Sequence, residues 1–403
     1  MPSAVATAIF SFTYMLIAWP HMRLMPIGRP AAALLGAVLM VVVGALAPDK
    51  AYEAIDGNTL VLLIALMVLS TYLEEAGLFA RLAELATTSR IGPRGLLTAL
   101  VFVSGVMSAV LLNDTVCLFL TPVVCAVCVQ RGLPLGPYLL ALATSSNIGS
   151  AATLVGNPQN ILIGSLGPLD FLAYLRICGP ATLACLLANA LLLHVIFGRA
   201  LGESLRVQNP NERTPVHPLP ALVAGLVVVG YACGFHLAFT TLAGVVALIA
   251  LTRKEPRFER VDWPLIVFFA ALFVVVAAFA NTGLPARAWE LAAPHLQLRT
   301  ASGVTWFSGY TLLGSNLFSN VPLVMLTGPL LDALGDPERG FALLGFVSTV
   351  AGNLTLLGSV ANLIVAERAR QHYELGFVEY LRFGAFSTLV SLVVGVPIVC
   401  LLT

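Results

Sequence analysis

The amino-acid sequence predicts an all-α polytopic membrane protein with about ten transmembrane spans and two re-entrant helical hairpins, set in two inverted-topology repeats. Three observations carry that prediction. Of 403 residues, 59% are hydrophobic and 10% charged, and the mean hydropathy of +0.93 is more than a soluble domain can cover. Two long apolar stretches carry polar residues at their middles, with no room for a loop in water. The chain also matches itself at a spacing of about half its length.

Composition excludes several function classes. A net charge of +1 and the absence of a long basic run argue against a nucleic-acid partner. Neither a G-x-x-x-x-G-K-[ST] loop nor a soluble domain is present, so ATP is not the direct energy source of this chain. The seven cysteines fall in or beside apolar segments and read as small hydrophobes rather than a disulfide framework. Cys125-x-x-Cys128 with Cys117 lacks a histidine and reads the same way.

Ala4–Trp19 is an apolar run ended by Pro20 with no positive charge before it, which reads as a retained first span rather than a cleaved signal. Ala31–Ala47 and Leu60–Leu73 follow. The stretch 95–130 is long enough for two short helices, but its middle is Asn113-Asp114-Thr115. It reads as a hairpin that turns within the membrane, the alternative being two full spans joined by a tight turn. A broken span at 135–165 and a final span at 172–197 complete a first repeat, 1–198. After a polar cytoplasmic linker, 199–218, the second repeat at 219–403 brings Leu219–Ala232, Leu237–Leu251 and Leu265–Ala280. A hairpin at 301–334 around Ser319-Asn320-Val321, a broken span at 340–366 and a final span at 380–402 complete it. Leu78–Arg90 and Ala286–Leu298 are amphipathic connectors before each hairpin. Glu74 and Glu75 read as solvated at a span end, and Trp19, Trp263, Trp289 and Trp306 as interfacial belt residues.

The internal match supports this division. At an offset of 206, Asp56 falls on Asp262, Gly77 on Gly283, and Asn113-Asp114-Thr115 on Ser319-Asn320-Val321. At 202, Thr153 to Asn160 falls on Thr355 to Asn362. Five crossings per half turn the second copy upside down. Tracing the faces puts sixteen of the 21 Lys and Arg on one side and leaves Lys50, Arg176, Arg287, Arg299 and Arg339 on the other. By the positive-inside rule the basic face is cytoplasmic and both termini lie outside.

The richest polar stretch is Thr144 to Asn160. Ala141–Thr144 is expected to end one half-helix, Gly149 and Gly156 to permit unwound backbone, and Asn157-Pro158 to open the second half as N-cap and first-turn proline. Irregular backbone at membrane depth belongs beside a cavity. Four half-helices are expected to begin near Asp114, Asn157, Asn320 and Ser359, turning positive dipole ends toward the midplane. Carbonyls released around Asn147–Gly149 and Gly352–Asn353 are candidate cation ligands. The candidate substrate and ion ligands are Asn113, Asp114, Thr115, Ser145, Ser146, Asn147, Thr153, Gly156, Asn157 and Asn160 in the first half. In the second they are Asn316, Ser319, Asn320, Asn353, Thr355, Gly358, Ser359 and Asn362. Asn113, Asp114, Asn147 and Asn157 form a candidate sodium site. A carboxylate near the bilayer centre is costly, about 2.5 to 3.5 kcal/mol by insertion scales, which makes Asp114 the candidate for proton or sodium coupling.

Asn113-Asp114-Thr115 with Leu120-Thr121-Pro122, the break at 144–160 and the counterparts Ser319-Asn320 and Thr355–Asn362 resemble the ion transporter superfamily. That group includes citrate-transporter-like permeases, divalent anion symporters, arsenite exporters and the pigmentation P protein. The resemblance implies inverted repeats, a scaffold that dimerises, and a transport domain of hairpins and broken helices that moves as an elevator. Dicarboxylate symporters carry Ser-Asn-Thr at both hairpin tips; this chain departs from that pattern at both.

The expected function is a secondary active transporter of a small anion, a di- or tricarboxylate or an inorganic oxyanion, driven by a proton or sodium gradient without a further cofactor. No Lys or Arg sits at the depth of Asp114, so an uncharged metalloid acid exported by proton antiport, as arsenite, is the alternative. A sodium/proton antiporter and a passive channel are further readings. An intramembrane enzyme is disfavoured because Ser145 and Ser146 lack a histidine partner.

Overall fold

The computed structural model describes residues 2–18, 27–88, 90–202 and 214–403, and the regular structure among them is helical throughout. Trp19, Pro20, Arg23, Arg206 and the linker run from Gln208 to Arg213 lie outside the described residues. The first half holds α1 Pro2–Ala18, α2 Arg29–Val42, a short α3 Pro48–Glu53, α4 Gly57–Glu75, α5 Leu78–Thr88, α6 Pro93–Val110, α7 Asn113–Arg131, α8 Leu135–Ser150, α9 Pro158–Leu166 and α10 Phe171–Phe197. The second holds α11 Pro218–Ala232, α12 Leu237–Thr252, α13 Trp263–Ala280, α14 Leu284–Ala292, α15 Ala301–Phe318, α16 Asn320–Thr327, α17 Pro337–Ala351, α18 Val360–Ala369 and α19 Phe377–Leu402. Six of these, α4, α6, α7, α10, α13 and α19, are long and apolar enough to cross a membrane.

Matching sequence positions build matching local structure. Asp56 caps α4 by accepting from the Thr59 amide at 2.6 Å, and Asp262 caps α13 by accepting from the Leu265 amide at 3.1 Å. Each helix then ends at a glycine with positive φ, +83° at Gly77 and +74° at Gly283, a conformation that only glycine adopts without strain. The amphipathic α5 and α14 start immediately after these glycines.

The first hairpin differs from its expected form. Its arms are not short: α6 has 18 residues and α7 has 19, or roughly 27 Å at 1.5 Å per residue. What sets the depth of the tip is where it docks. The Asn113 amide donates to the Gly156 carbonyl at 2.9 Å, in the break between α8 and α9, and α9 carries the chain nine residues beyond it. At the base, buried Arg131 donates to the carbonyls of Ala86 at 2.8 Å and Ile91 at 2.9 Å, and Tyr138 to that of Pro93 at 2.8 Å. The second hairpin has a shorter inner arm, α16, continued by a 3-10 segment Gly328–Leu334.

The broken span also differs. Thr144 does not end a helix; α8 runs to Ser150, and the irregular backbone is confined to 151–157. Gly149 therefore serves close approach rather than unwinding, since a Cβ there would lie 2.1 Å from the Gly105 carbonyl oxygen of α6. Small residues let membrane helices pack backbone to backbone in this way. α10 and α19, the final spans of the two halves, pack against each other and against α8.

Two peripheral expectations are corrected. Trp289 is not interfacial but 5% exposed, edge-on to Tyr310. Glu74 and Glu75 pair with Arg260 and Arg257 of the α12–α13 connection, joining the third helix of one half to the other half. The far end of the linker docks on α5, where the Thr214 amide bonds Glu84 at 2.7 Å. That amide and the Arg81 guanidinium hold the Glu84 carboxyl below the usual carboxylate range.

Gly149→Ala is expected to lower the melting temperature of the purified protein by the equivalent of about 1 to 3 kcal/mol, as overpacking does. Gly225→Ala, with open space at its Cβ, is the comparison and is expected to leave the melting temperature unchanged. Equal melting of the two variants would contradict the close approach of α6 and α8.

Candidate functional site

The first hairpin tip and the second break converge on one amide, that of Asn147 in the last turn of α8. Its Nδ2 donates to Asn353 Oδ1 at 2.9 Å and Asn362 Oδ1 at 2.8 Å. Its Oδ1 accepts from Asn113 Nδ2 and from Ser359 Oγ, both at 2.9 Å. Asn113, Asn147, Asn353 and Asn362 are buried, so the bonds among these amides are made away from water, while that to Ser359 is part-buried.

The arrangement repeats with the halves exchanged. At the offset of 202, Asn147 falls on Thr349, Asn157 on Ser359 and Asn160 on Asn362. Asn147 touches Ser359 and Asn362 across the molecule; Thr349 touches Asn157 at 3.1 Å and Asn160 at 3.3 Å in return. Reciprocal contacts of this form, i to j′ and i′ to j, are those of a two-fold relation.

Asparagine side chains bridge the backbone carbonyls of both breaks. Asn160 Nδ2 donates to the carbonyls of Ser150 at 3.1 Å and Thr153 at 3.0 Å. Asn362 Nδ2 does the same for Gly352 at 2.8 Å and Thr355 at 3.1 Å. The expected release of carbonyls at Asn147–Gly149 is thus overturned. Those three accept from Ser150 Oγ and from the amides of Ala151 and Ala152. The Gly352 carbonyl, expected to be free for a cation, is taken by Asn362.

Carbonyls only accept, and that fixes the orientation of every amide in the network. Asn362 and Asn353, whose Nδ2 groups bond backbone carbonyls, must present Oδ1 to Asn147. Asn147 must then present Oδ1 to Asn113, and Asn113 must present Nδ2. The Asn113 Oδ1 is left buried with no donor, as are the Oδ1 atoms of Asn316 and Asn320. In Asn316 the orientation is again set by carbonyls, those of Leu312 and Ala351. A buried acceptor without a donor costs about 1 to 3 kcal/mol. All three lie at the hairpin tips.

The candidate sodium set shrinks on the same ground. Both lone pairs of Asn147 Oδ1 are in use, whereas Asn157 Oδ1 accepts one bond, from the Asn160 amide at 2.8 Å, and keeps a second lone pair. Asn113 Oδ1, Asn157 Oδ1 and the Asp114 carboxylate are the members still able to ligate. Asp114 lies beside the Ala361 amide in the first turn of α18. An acid from one half therefore sits at the positive end of a half-helix from the other.

Asp114 and Thr115 form the floor of a cavity of about 680 Å³. Met67, Phe119, Leu265 and Ile364 line its walls, Asp262 adds a second carboxylate, and Arg260, Glu367, Arg368 and His372 stand around it. The first hairpin tip is thereby connected to the face that carries most of the basic residues.

Several candidates are placed elsewhere. Ser145 turns toward α10, accepting from Asn189 at 3.1 Å, and Ser146 bonds Cys117 at 2.9 Å. Thr153 is tied to the Ala109 carbonyl at 2.7 Å. Gly156 is a close approach, with the Ser150 oxygen 2.4 Å from where its Cβ would stand, and Gly358 sits against Asn316 Oδ1. Ser319 is exposed and holds φ +72°, ψ 160°, a region that costs a non-glycine residue about 1 to 3 kcal/mol. Sequence reasoning missed Thr349, Gln159 and Asp262. Thr349 was signalled by its 202-residue offset from Asn147.

The citrate transporter family model matches residues 14–342. The chain is 35% identical to the silicon efflux transporter LSI3 of Oryza sativa subsp. japonica, over 99% of this chain and 98% of that protein. It is 30% identical to the transporter arsB of Dictyostelium discoideum, over 94% and 88%, and 27% identical to the P protein of Homo sapiens, over 97% and 59%. Among solved structures, that of MtrF from Neisseria gonorrhoeae superposes with a TM-score of 0.56 at 15% identity, covering 100% of this chain and 94% of that one. This likeness is one of fold.

Asn362→Leu deprives two buried carbonyls and the Asn147 amide of partners and is expected to destabilise the solute-free protein by roughly 2 to 4 kcal/mol. Leu357→Ala, at an exposed position, is the reference. Thermal unfolding without solute checks this; unchanged melting of Asn362→Leu would assign that amide to ligand binding instead of to the break.

Proposed function

Because the chain belongs to the citrate transporter family, we propose that this transmembrane transporter is a secondary active carrier of a small hydroxyl-bearing oxyacid. The observation that carries the substrate class is the trio of buried, donor-less amide oxygens on Asn113, Asn316 and Asn320. An acidic hydroxyl satisfies such an oxygen; a fully ionised carboxylate offers it nothing. Of the arginines that line the cavity, Arg260 is paired with Glu74 and Arg368 stands in the last turn of α18, at the opposite end of that helix from Ala361. Arsenious and silicic acids, uncharged at neutral pH and hydroxylated all round, have the required donors, and the rice relative is named for silicon efflux.

Asp114 is proposed as the coupling group. Ionised, it faces the positive end of the α18 dipole; protonated, it gives up that charge interaction and gains a donor of its own. Its proton would come from the cavity, which under the positive-inside reading opens to the cytoplasm. The reciprocal contacts of Asn147 and Thr349 support two repeats related by a two-fold axis; the proposed carrier sets their hairpins on opposite sides, by the positive-inside reading puts both termini outside, and moves α6 to α9 and α15 to α18 as the transport unit of an elevator. A dicarboxylate or other small anion is the second reading, supported by the α9 N-terminus, which packs against α16, where the offset of Asp114 carries Asn320 rather than an acid.

Proteoliposome assays test this. Arsenite or silicic acid is expected to accumulate under an imposed proton gradient, and dicarboxylates are not; the reverse order would overturn the substrate class. Asp114→Asn is expected to keep downhill exchange and lose gradient-driven accumulation. Full accumulation by that variant would remove Asp114 from the coupling role.

A further inference from the structure

We propose that the protein also binds an anionic phospholipid, at a site between the start of α6 and the end of α10 that is separate from the transport cavity. A cavity of about 400 Å³ lies there, lined by Arg94, Gly95, Thr98, His194, Gly198 and Arg199 with Val195 at its edge. The two guanidinium groups bring positive charge, and among the described residues neither has a carboxylate within ion-pair distance. Arg94 is held in place by the Gly198 carbonyl at 3.2 Å, and His194 by Thr98 at 2.7 Å. The other ring nitrogen of His194, Nδ1, is buried with no partner. α6 opens after Gly92, which supplies no side-chain cap, so its first-turn N–H groups are open to an acceptor. Guanidinium groups, an imidazole and free amides around one space are the chemistry that holds a phosphate.

The apolar surface next to it distinguishes a lipid from a free anion. Leu183, Leu187, Leu191 and Val195 of α10 are 54%, 56%, 66% and 73% exposed. Their spacing of four puts them on one stripe of the helix, and it ends at the edge of the basic cavity. Its thirteen residues span about 18 Å, somewhat over half of the roughly 30 Å hydrocarbon core. A phosphate over Arg94 and Arg199 thus has an acyl-length path directly below it. Since α6 is the outer arm of the first hairpin, a bound lipid would tie that hairpin to α10.

Binding is measured by thermal-shift titration of the purified protein with phosphatidylglycerol, phosphatidylcholine and inorganic phosphate. Phosphatidylglycerol is expected to raise the melting temperature; the other two are not. In the double variant Arg94→Gln, Arg199→Gln the phosphatidylglycerol affinity is expected to fall about 30-fold, at about 1 kcal/mol per arginine. Arg253→Gln with Lys254→Gln, on the same face, is expected to keep it. Equal affinity in the double variant, or equal stabilisation by inorganic phosphate, would overturn the proposal. Native mass spectrometry of the unmodified protein checks it without any variant: phosphatidylglycerol retained where phosphatidylcholine is stripped supports the site, and equal retention refutes it.

Discussion

One side-chain amide is shared by both halves of the chain, and the central architecture follows from satisfying it. Asn147 uses its two hydrogens on Asn353 and Asn362 and its oxygen on Asn113 and Ser359. In a low-dielectric interior a partly satisfied amide is expensive, and a complete set of partners makes the arrangement specific. The first hairpin tip, the end of α8 and the second break cannot separate without breaking it. Backbone carbonyls at the breaks set the direction of the bonds, so the network has one polarity, and its unpaired oxygens emerge at the tips.

Close packing makes this possible. α8 reaches α6 through Gly149 on Gly105, and the second break reaches α19 through Gly384, where a Cβ would stand 2.2 Å from the Asn353 carbonyl. Lipid provides no hydrophobic drive between helices, so backbone contact and interhelical hydrogen bonds carry the association. The halves are nevertheless unequal. The first tip presents an acid beside the start of the far half-helix, whereas the second presents Asn320 and a strained Ser319. Equivalent frames thus carry different chemistry, an acid at one tip and a neutral amide at the other.

Much of the frame was legible in the sequence. Asp56 and Asp262, Gly77 and Gly283, and the polar tips at 113–115 and 319–321 stand at one offset and form corresponding caps, turns and tips. The exact extent of the break was not legible. Thr144 to Gly149 contains hydroxyls and a glycine that disfavour helix in isolation, but burial against α6, α10 and α19 overrides that preference and the helix continues to Ser150. The role of the asparagines was half legible. Their place at the breaks signalled importance, whereas the fact that Asn160 and Asn362 spend their amides on carbonyls depends on backbone that no local pattern describes. Thr349 illustrates the same limit: an ordinary hydroxyl within an apolar helix acquires meaning only opposite Asn157 and Asn160.

The cavity beside Asp114 joins the first tip to Arg260, Arg368 and His372. The most direct test of the account is a structure determined with arsenite or silicic acid bound. The account predicts solute hydroxyls within hydrogen-bond distance of Asn113 Oδ1 and beside the Asp114 carboxylate, with the Asn147 bonds intact. Solute bound without touching either hairpin tip, or tips standing in bulk water away from Asn147, would contradict it.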